Sequence, residues 1–357
     1  MMPIPASLEP LLKWLIDILA YFAIYLVVVV ALNLQYGYTG VPNFGLALSV
    51  AAGAYVTGAL TGRIAMALYG VGEGLDFMHN NSEITTMLNE RLRHDPFGGI
   101  LILMVVIIIA MAVAGGLGFV ASYPAIGLRA EYLMMVLIAM AEAIRVIGVN
   151  YYPLVGGTFW VHVPDLFAWM GGMRWTVITL VILAFSAVVF LATQAMVTSP
   201  FGRLIRAVRE NEATAECVGK DVVGIKKKIM VVGSMIAALG GVFYALHTQV
   251  VLAAAYTRTD WTFWPWLMLM IGGRGSNVGS LVGAGTVISA RRLIIYFKHD
   301  IQPFIGISVV WLEQIMLGLT LILVMAFRPQ GILPERPTRV RGFRYKQMLE
   351  RLAGRSE

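Results

Sequence analysis

The chain has 357 residues, of which 59% are hydrophobic and 13% charged, with a mean hydropathy of +0.77. An ordinary soluble domain carries about 25% charged residues, so there is too little polar material to cover a water-facing surface; soluble, disordered and disulfide-rich secreted classes are excluded in favour of an integral membrane protein. The net charge of +7 is not spread over a nucleic-acid face: residues 198–228 hold seven Lys/Arg against four acids and 328–357 hold eight against three, which exceeds the whole surplus. Basic clusters beside apolar spans mark the cytoplasmic side.

Crossing roughly 30 Å of hydrocarbon takes about 20 apolar residues, because every backbone polar group must be satisfied inside the lipid. Spans are predicted at 14–33, 44–69, 99–121, 132–149, 175–197, 229–250, 280–297 and 304–327, an all-α polytopic bundle of about eight transmembrane helices. The first begins among Glu9, Lys13 and Asp17 and lacks a small-residue cleavage pattern, so it reads as a retained helix and not a secretory signal. The acidic stretch 70–97 is expected as an extracytoplasmic insertion, and 151–173 faces the same side.

The two basic segments share a side, so an even number of crossings must separate them, yet three spans lie between. The apolar run Trp261 to Ile271, too short to span, precedes Gly272-Gly273-Arg274-Gly275-Ser276-Asn277-Val278-Gly279. A re-entrant half-helix that turns in this glycine-rich stretch near the membrane interior restores parity, since irregular backbone is tolerated where protein or a cavity surrounds it. The other reading is an external loop with one span miscounted. The domain picture is one transmembrane unit over 1–330, with the 198–228 loop and a basic tail at 331–357 on the cytoplasmic side.

Several chemistries have no signature. G-x-x-x-x-G-K-[ST], H-E-x-x-H and G-x-S-x-G are missing, the five histidines are scattered, and Cys217 is the single cysteine. No catalytic residue, metal site or resident cofactor is therefore expected on this chain, and any ATP use must reside elsewhere.

The loop from Ser199 to Asp221 carries apolar residues at helical spacing (Leu204 with Val208, Thr214 with Val218). Asn211 suits an N-cap, Glu212 complements a helix N-terminus, and Gly219 can close the helix in the left-handed conformation. Capped helices across the membrane face suit a docking element; the alternative is an interfacial helix held to anionic membrane lipid by its arginines.

Five ordered motifs resemble the permease subunits of branched-chain amino acid ATP-binding-cassette importers, of the LivM type. They are Asn33-Leu34-Gln35-Tyr36-Gly37-Tyr38-Thr39-Gly40 with Phe44-Gly45; Gly127-Leu128-Arg129-Ala130-Glu131-Tyr132-Leu133 with Glu142; Gly202-Arg203 through Arg209-Glu210-Asn211-Glu212 to Gly219; Gly272-Gly273-Arg274-Gly275-Ser276 with Gly279; and Phe327-Arg328-Pro329-Gln330-Gly331-Ile332-Leu333. The resemblance implies a homologous LivH-like permease partner, two cytoplasmic ATPases carrying ATP and Mg, an extracytoplasmic solute-binding protein, and a prokaryotic cytoplasmic membrane. It also implies that 202–221 is a coupling helix seated in an ATPase cleft. Three departures stand out: Ala213-Thr214-Ala215 replace the general Glu-Ala-Ala, Leu281 and Val282 stand where a proline is common, and Val155-Gly156-Gly157 replaces Thr-Gly-Gly. Urea, short amides or another small organic solute remain an alternative cargo, and a stand-alone ion-coupled transporter an alternative class.

On this reading Arg203, Leu204, Ile205, Val208, Arg209, Glu210, Asn211, Glu212, Val218 and Gly219 are the coupling residues, the arginines and acids steering and the apolar members supplying contact. Broken backbone at Gly37, Thr39, Gly40 and Asn43 and at Gly272, Gly273, Gly275 and Ser276 offers free N–H and C=O groups to a zwitterionic substrate, close helix packing being the alternative. Among intramembrane charges, Glu142 and Arg145 are three apart and expected to pair, whereas Glu313 has no obvious local partner, which suggests an inter-subunit bond or a place on the path.

Overall fold

The computed structural model describes residues 9–72, 74–297, 309–328 and 330–335. Its helices are α1 (Glu9–Leu32), α2 (Leu46–Tyr69), α3 (Asn81–Leu92), α4 (Pro96–Ser122), α5 (Pro124–Gly127), α6 (Ala130–Asn150) and α7 (Tyr152–Val155), followed by α8 (Arg174–Thr198), α9 (Pro200–Glu210), α10 (Glu212–Cys217), α11 (Val222–Thr248), α12 (Trp264–Gly272), α13 (Asn277–Tyr296) and α14 (Val309–Phe327). Among the described residues six segments are long and apolar enough to span a bilayer: Leu12–Tyr38, Pro96–Ser122, Ala130–Asn150, Ala168–Thr198, Val222–Thr248 and Asn277–Tyr296. The chain is an all-α polytopic membrane protein. Of the expected span 304–327, residues 304–308 lie outside the described residues, and Val309–Phe327 is helical.

α11 is the central post, packed along α4, α2 and α1. Small residues permit that closeness: a Cβ on Gly53 would run into the Ala238 backbone, and one on Gly241 into the Val50 carbonyl. Wrapped by these neighbours, α2 buries 16 of its residues, and its alanines, glycines and threonines are the side chains such crowding admits. Large apolar side chains instead point outward from α4 (Ile100, Met104, Ile108), α8 (Leu180, Val188, Leu191) and α14 (Trp311, Leu319, Ile322), as a lipid-facing surface requires.

The two ends of the bundle differ. One carries a lid. Helix α3 turns Ile84, Leu88 and Leu92 inward at four-residue spacing and is tied down by Asn81, which donates from Nδ2 to the His162 carbonyl (3.1 Å) and accepts the His162 N–H (2.6 Å). Nearby, the two-residue strands β1 (Val161–His162) and β2 (Val250–Val251) pair antiparallel, and Asp165 meets Arg174 at 2.5 Å. The opposite, basic end holds α9, α10 and a π-helical turn at Asn33–Tyr38 that continues α1. The expected loop 198–228 is shorter than its charge pattern suggested, because Lys226, Lys227 and Lys228 already belong to α11.

The expected half-helix is α12, followed by a turn at Gly273–Ser276 and a return along α13. Nine residues rise only about 14 Å, so α12 alone cannot cross; a 3-10 turn at Ala253–Ala255 and a π-helix at Thr259–Phe263 cover the rest of the descent from β2. The turn does not stop at mid-depth. It reaches the basic end, where it meets Arg209 and Glu335.

Candidate functional site

Helix α9 starts at Pro200, whose fixed φ suits the first helical position, and its apolar residues Phe201, Leu204, Ile205 and Val208 recur on one face. It ends where Asn211 turns extended (φ −159°) and starts α10 by accepting the Thr214 N–H at its side chain, 2.9 Å. Gly219 closes α10 with φ +74°, its N–H reaching the Glu216 carbonyl at 2.9 Å.

The two faces of this element have different work. Ile205 and Val208 are wholly buried in a cluster with Leu34, Tyr38, Val197 and Ile229. They and the half-buried Leu204 hold α9 to the bundle, which corrects the expectation that they are free for a partner. Arg203, Glu210, Asn211, Glu212 and Gly219 are exposed, and Val218 is 66% exposed. The outward face is therefore a polar rim around one large apolar residue, Val218.

Arg209 is half-buried and turned inward. One guanidinium nitrogen donates to the Gly37 carbonyl, and the other meets Glu335 at 2.7 Å and Glu210 at 2.7 Å. Burial opposes its charge, but the bonds from Glu210 and Glu335 outweigh that, so its pKa is raised. Arg206 joins Glu335 at 3.3 Å and lies over the Tyr38 ring. Residues 331–335, expected in the tail, thus belong to the bundle. The Ile332 and Leu333 N–H groups bond the Ile271 (2.8 Å) and Gly272 (3.0 Å) carbonyls, which terminate α12.

Beneath Arg209 the two broken stretches meet in a polar knot. Asn33 donates to Asn277 (3.0 Å) and accepts the Gly275 N–H (2.9 Å), while Asn277 donates to Gln194 of α8 (2.9 Å). Asn43 donates to Gln35 (2.8 Å), which donates to the Met230 carbonyl (3.2 Å), and the Thr39 hydroxyl donates to the Leu34 carbonyl (3.0 Å). Ser276 caps α13 by accepting the Gly279 N–H at 3.0 Å. Gly273 holds φ +111°, and a Cβ there would run into the Leu333 and Gln330 carbonyls, so no side chain fits.

These bonds correct the expectation of free backbone groups: the Gly37 carbonyl and Gly275 N–H already have partners. Of the expected path residues, Gly37 and Gly40 line a polar cavity of about 550 Å³ with Arg209, Arg274 and Glu335. Gly272 packs against Gly279 and Gly283, and Gly273, Gly275 and Ser276 shape the turn.

The intramembrane charges are paired. Arg145 donates to Glu142 (Nε 2.9 Å), with Arg258 at 3.4 Å, and Glu313, expected to lack a local partner, takes Arg291 at 2.9 Å. Arg291 continues to Asp260 (3.0 Å) and to the Tyr25 hydroxyl (3.2 Å), and Arg292 meets Asp17 at 3.2 Å. Asp260, Arg291 and Arg292 were not singled out in the sequence. The signal lay in charges inside or beside apolar runs, which lipid tolerates only with partners. Among the described residues no group of three or more His, Cys, Asp or Glu is placed to hold a metal ion.

Residues 14–325 match the family described as the branched-chain amino acid transport system permease component. A Methanocaldococcus jannaschii protein named as a probable branched-chain amino acid transport permease protein LivM is 35% identical over 323 residues, 90% of this chain and 93% of its own. The high-affinity branched-chain amino acid transport system permease proteins LivM of Salmonella typhimurium and Escherichia coli are 23% and 24% identical, over 89% and 63% of this chain and 70% and 56% of their own. No solved structure matches. A helical bundle with a capped amphipathic element on its basic face, matched over nearly its whole length, belongs to the family of branched-chain amino acid transport system permease components.

Proposed function

We propose that this chain is one permease subunit of an ATP-driven importer of branched-chain or related hydrophobic amino acids in the cytoplasmic membrane of a prokaryote. It works beside a LivH-like permease, two cytoplasmic ATPases that bind ATP and Mg, and an extracytoplasmic solute-binding protein. The relatives' names supply the substrate class, and the basic end faces the cytoplasm by its charge.

The observation that carries the mechanism is Arg209, which ties the docking element to the broken backbone at Gly37 and the C-terminal strap at Glu335. ATPase closure presses the exposed face of α10. Because Ile205, Val208 and Ala215 anchor α9 and α10 in one apolar cluster, the pair moves as a unit with the ends of α8 and α11. Arg209 passes that displacement to the π-helical turn and, through Asn33, to the turn before α13. A two-state rearrangement of the knot then opens or seals the path.

The single cysteine, Cys217, is exposed on α10 and reports on docking directly. Maleimide should modify it at least about tenfold more slowly in the assembled importer than in the chain alone, and Val218→Asp should abolish ATPase co-purification while the chain stays in the membrane. Equal modification rates in an assembled importer, or ATPases retained by Val218→Asp, would remove α10 from the interface.

A further inference from the structure

Resting on the amino-acid reading above, the geometry points to a second site that none of the expected path residues touches. It is a cavity of about 340 Å³ between α1, α11, α13 and the π-helix at Thr259–Phe263, in the half of the bundle nearer the lid. Ligand pockets run from about 300 Å³ upward, so one small organic molecule fits. We propose that this cavity is a transit site for a zwitterionic α-amino acid, with its ammonium at Asp260, its carboxylate at Arg292, and its side chain against Trp261 and Ile288.

The charges around the cavity are not equally committed. Arg291 already spends three of its five donors, on Glu313, Asp260 and the Tyr25 hydroxyl. Arg292 meets Asp17 through one nitrogen at 3.2 Å and otherwise lies over the Tyr21 ring, which leaves much of its five-donor fork open to a carboxylate. The Asp260 side chain is 35% exposed; Oδ1 accepts from Arg291 (3.0 Å) and Oδ2 from the Thr257 hydroxyl (2.8 Å). An ionised carboxylate offers about four acceptor positions, so Asp260 can still take an ammonium.

The remaining wall suits the rest of the molecule. Trp261 stacks on Tyr25 with centroids 5.2 Å apart and takes the edge of Tyr244 at 4.9 Å, a rigid aromatic floor, while Ile288 adds an aliphatic side. Opposite charges on two walls admit a zwitterion and disfavour simple cations and anions, which would each meet one repulsive wall. From Tyr25 to Asn33 is about 12 Å along α1, so the knot lies directly below the cavity.

The test uses leucine bearing a side-chain diazirine, photolysed in vesicles containing the complete importer, with labelled-leucine uptake measured in parallel. The proposal expects adducts in 255–261 and 288–295 that leucine competes away and 4-methylpentanoate, lacking the amine, does not. Asp260→Asn, and Arg292→Lys, which keeps the charge for Asp17 but loses the fork, should each raise the uptake KM about tenfold while the variant chain still co-purifies with its ATPases. Uptake with adducts confined to other segments, or wild-type KM in both variants, would overturn this site and leave the importer reading standing. Absence of uptake of any branched-chain amino acid by the wild-type importer would overturn both.

Discussion

The polar knot and the lid-side cavity are both places where the chain leaves regular helix inside a bilayer-sized bundle, and they satisfy the same electrostatic demand differently. The knot uses neutral amides: Asn33, Asn43, Gln35, Asn277 and Gln194 pair with one another and with backbone at 2.8–3.2 Å. The cavity uses ions, Arg291 and Arg292 against Asp17, Asp260 and Glu313. Amides fix a shape without long-range field, which suits a seal that must break and re-form with modest energy. Ions inside lipid are expensive unless paired, and here the pairs border a cavity, the arrangement from which the transit site is proposed.

Several substitutions break or sharpen that contrast. The largest effect is expected at the knot's turn: Gly273→Val forces a side chain into a positive-φ position filled by the Leu333 and Gln330 carbonyls, so little folded chain should accumulate in the membrane by size-exclusion of detergent extracts. Next comes Arg291→Met, which strands the half-buried Glu313 and Asp260; denaturation in detergent should show a loss of about 3 kcal/mol. Asn33→Leu removes the acceptor for Gly275 N–H and one partner of Asn277, and the same assay should show roughly 2 kcal/mol, less than the ionic case. Equal costs for the two would erase the distinction between amide seal and ionic site.

The smallest effect lies at the lid. The Gly98 N–H first, and then the Tyr69 hydroxyl, hold the Asp95 carboxyl below its usual range. A carboxyl depressed in the folded state adds stability that is full above its unfolded value near ~4 and is lost as pH falls through the lower folded value. Proteolysis of residues 70–95 should therefore quicken on acidification, and Asp95→Asn should flatten that dependence.

The fold class, most span positions and the capped α10 were legible because they follow from local chemistry: apolar run length, an Asn cap, a Gly stop. Helix α3 was missed although Ile84, Leu88 and Leu92 keep helical spacing, because acidic residues around them dominated the reading of 70–97. The orientation of α9 was legible as amphipathic but not in direction; Ile205 and Val208 could have faced a partner, and only Leu34, Tyr38 and Val197 decide otherwise. The knot was visible as two irregular stretches but not as one structure, since Asn33 and Asn277 stand 244 residues apart. The pairing of Glu313 with Arg291 was hidden likewise, in two different helices.

Coupling through Arg209 is tested most directly by the solute taken up per ATP hydrolysed in proteoliposomes of the complete importer, comparing wild type with Arg209→Ala. Because the substituted side chain is turned inward to Gly37 and Glu335 and touches the outward rim only at Glu210, ATP hydrolysis should persist while uptake per ATP falls about tenfold. An unchanged ratio would show that force reaches the membrane helices without that link.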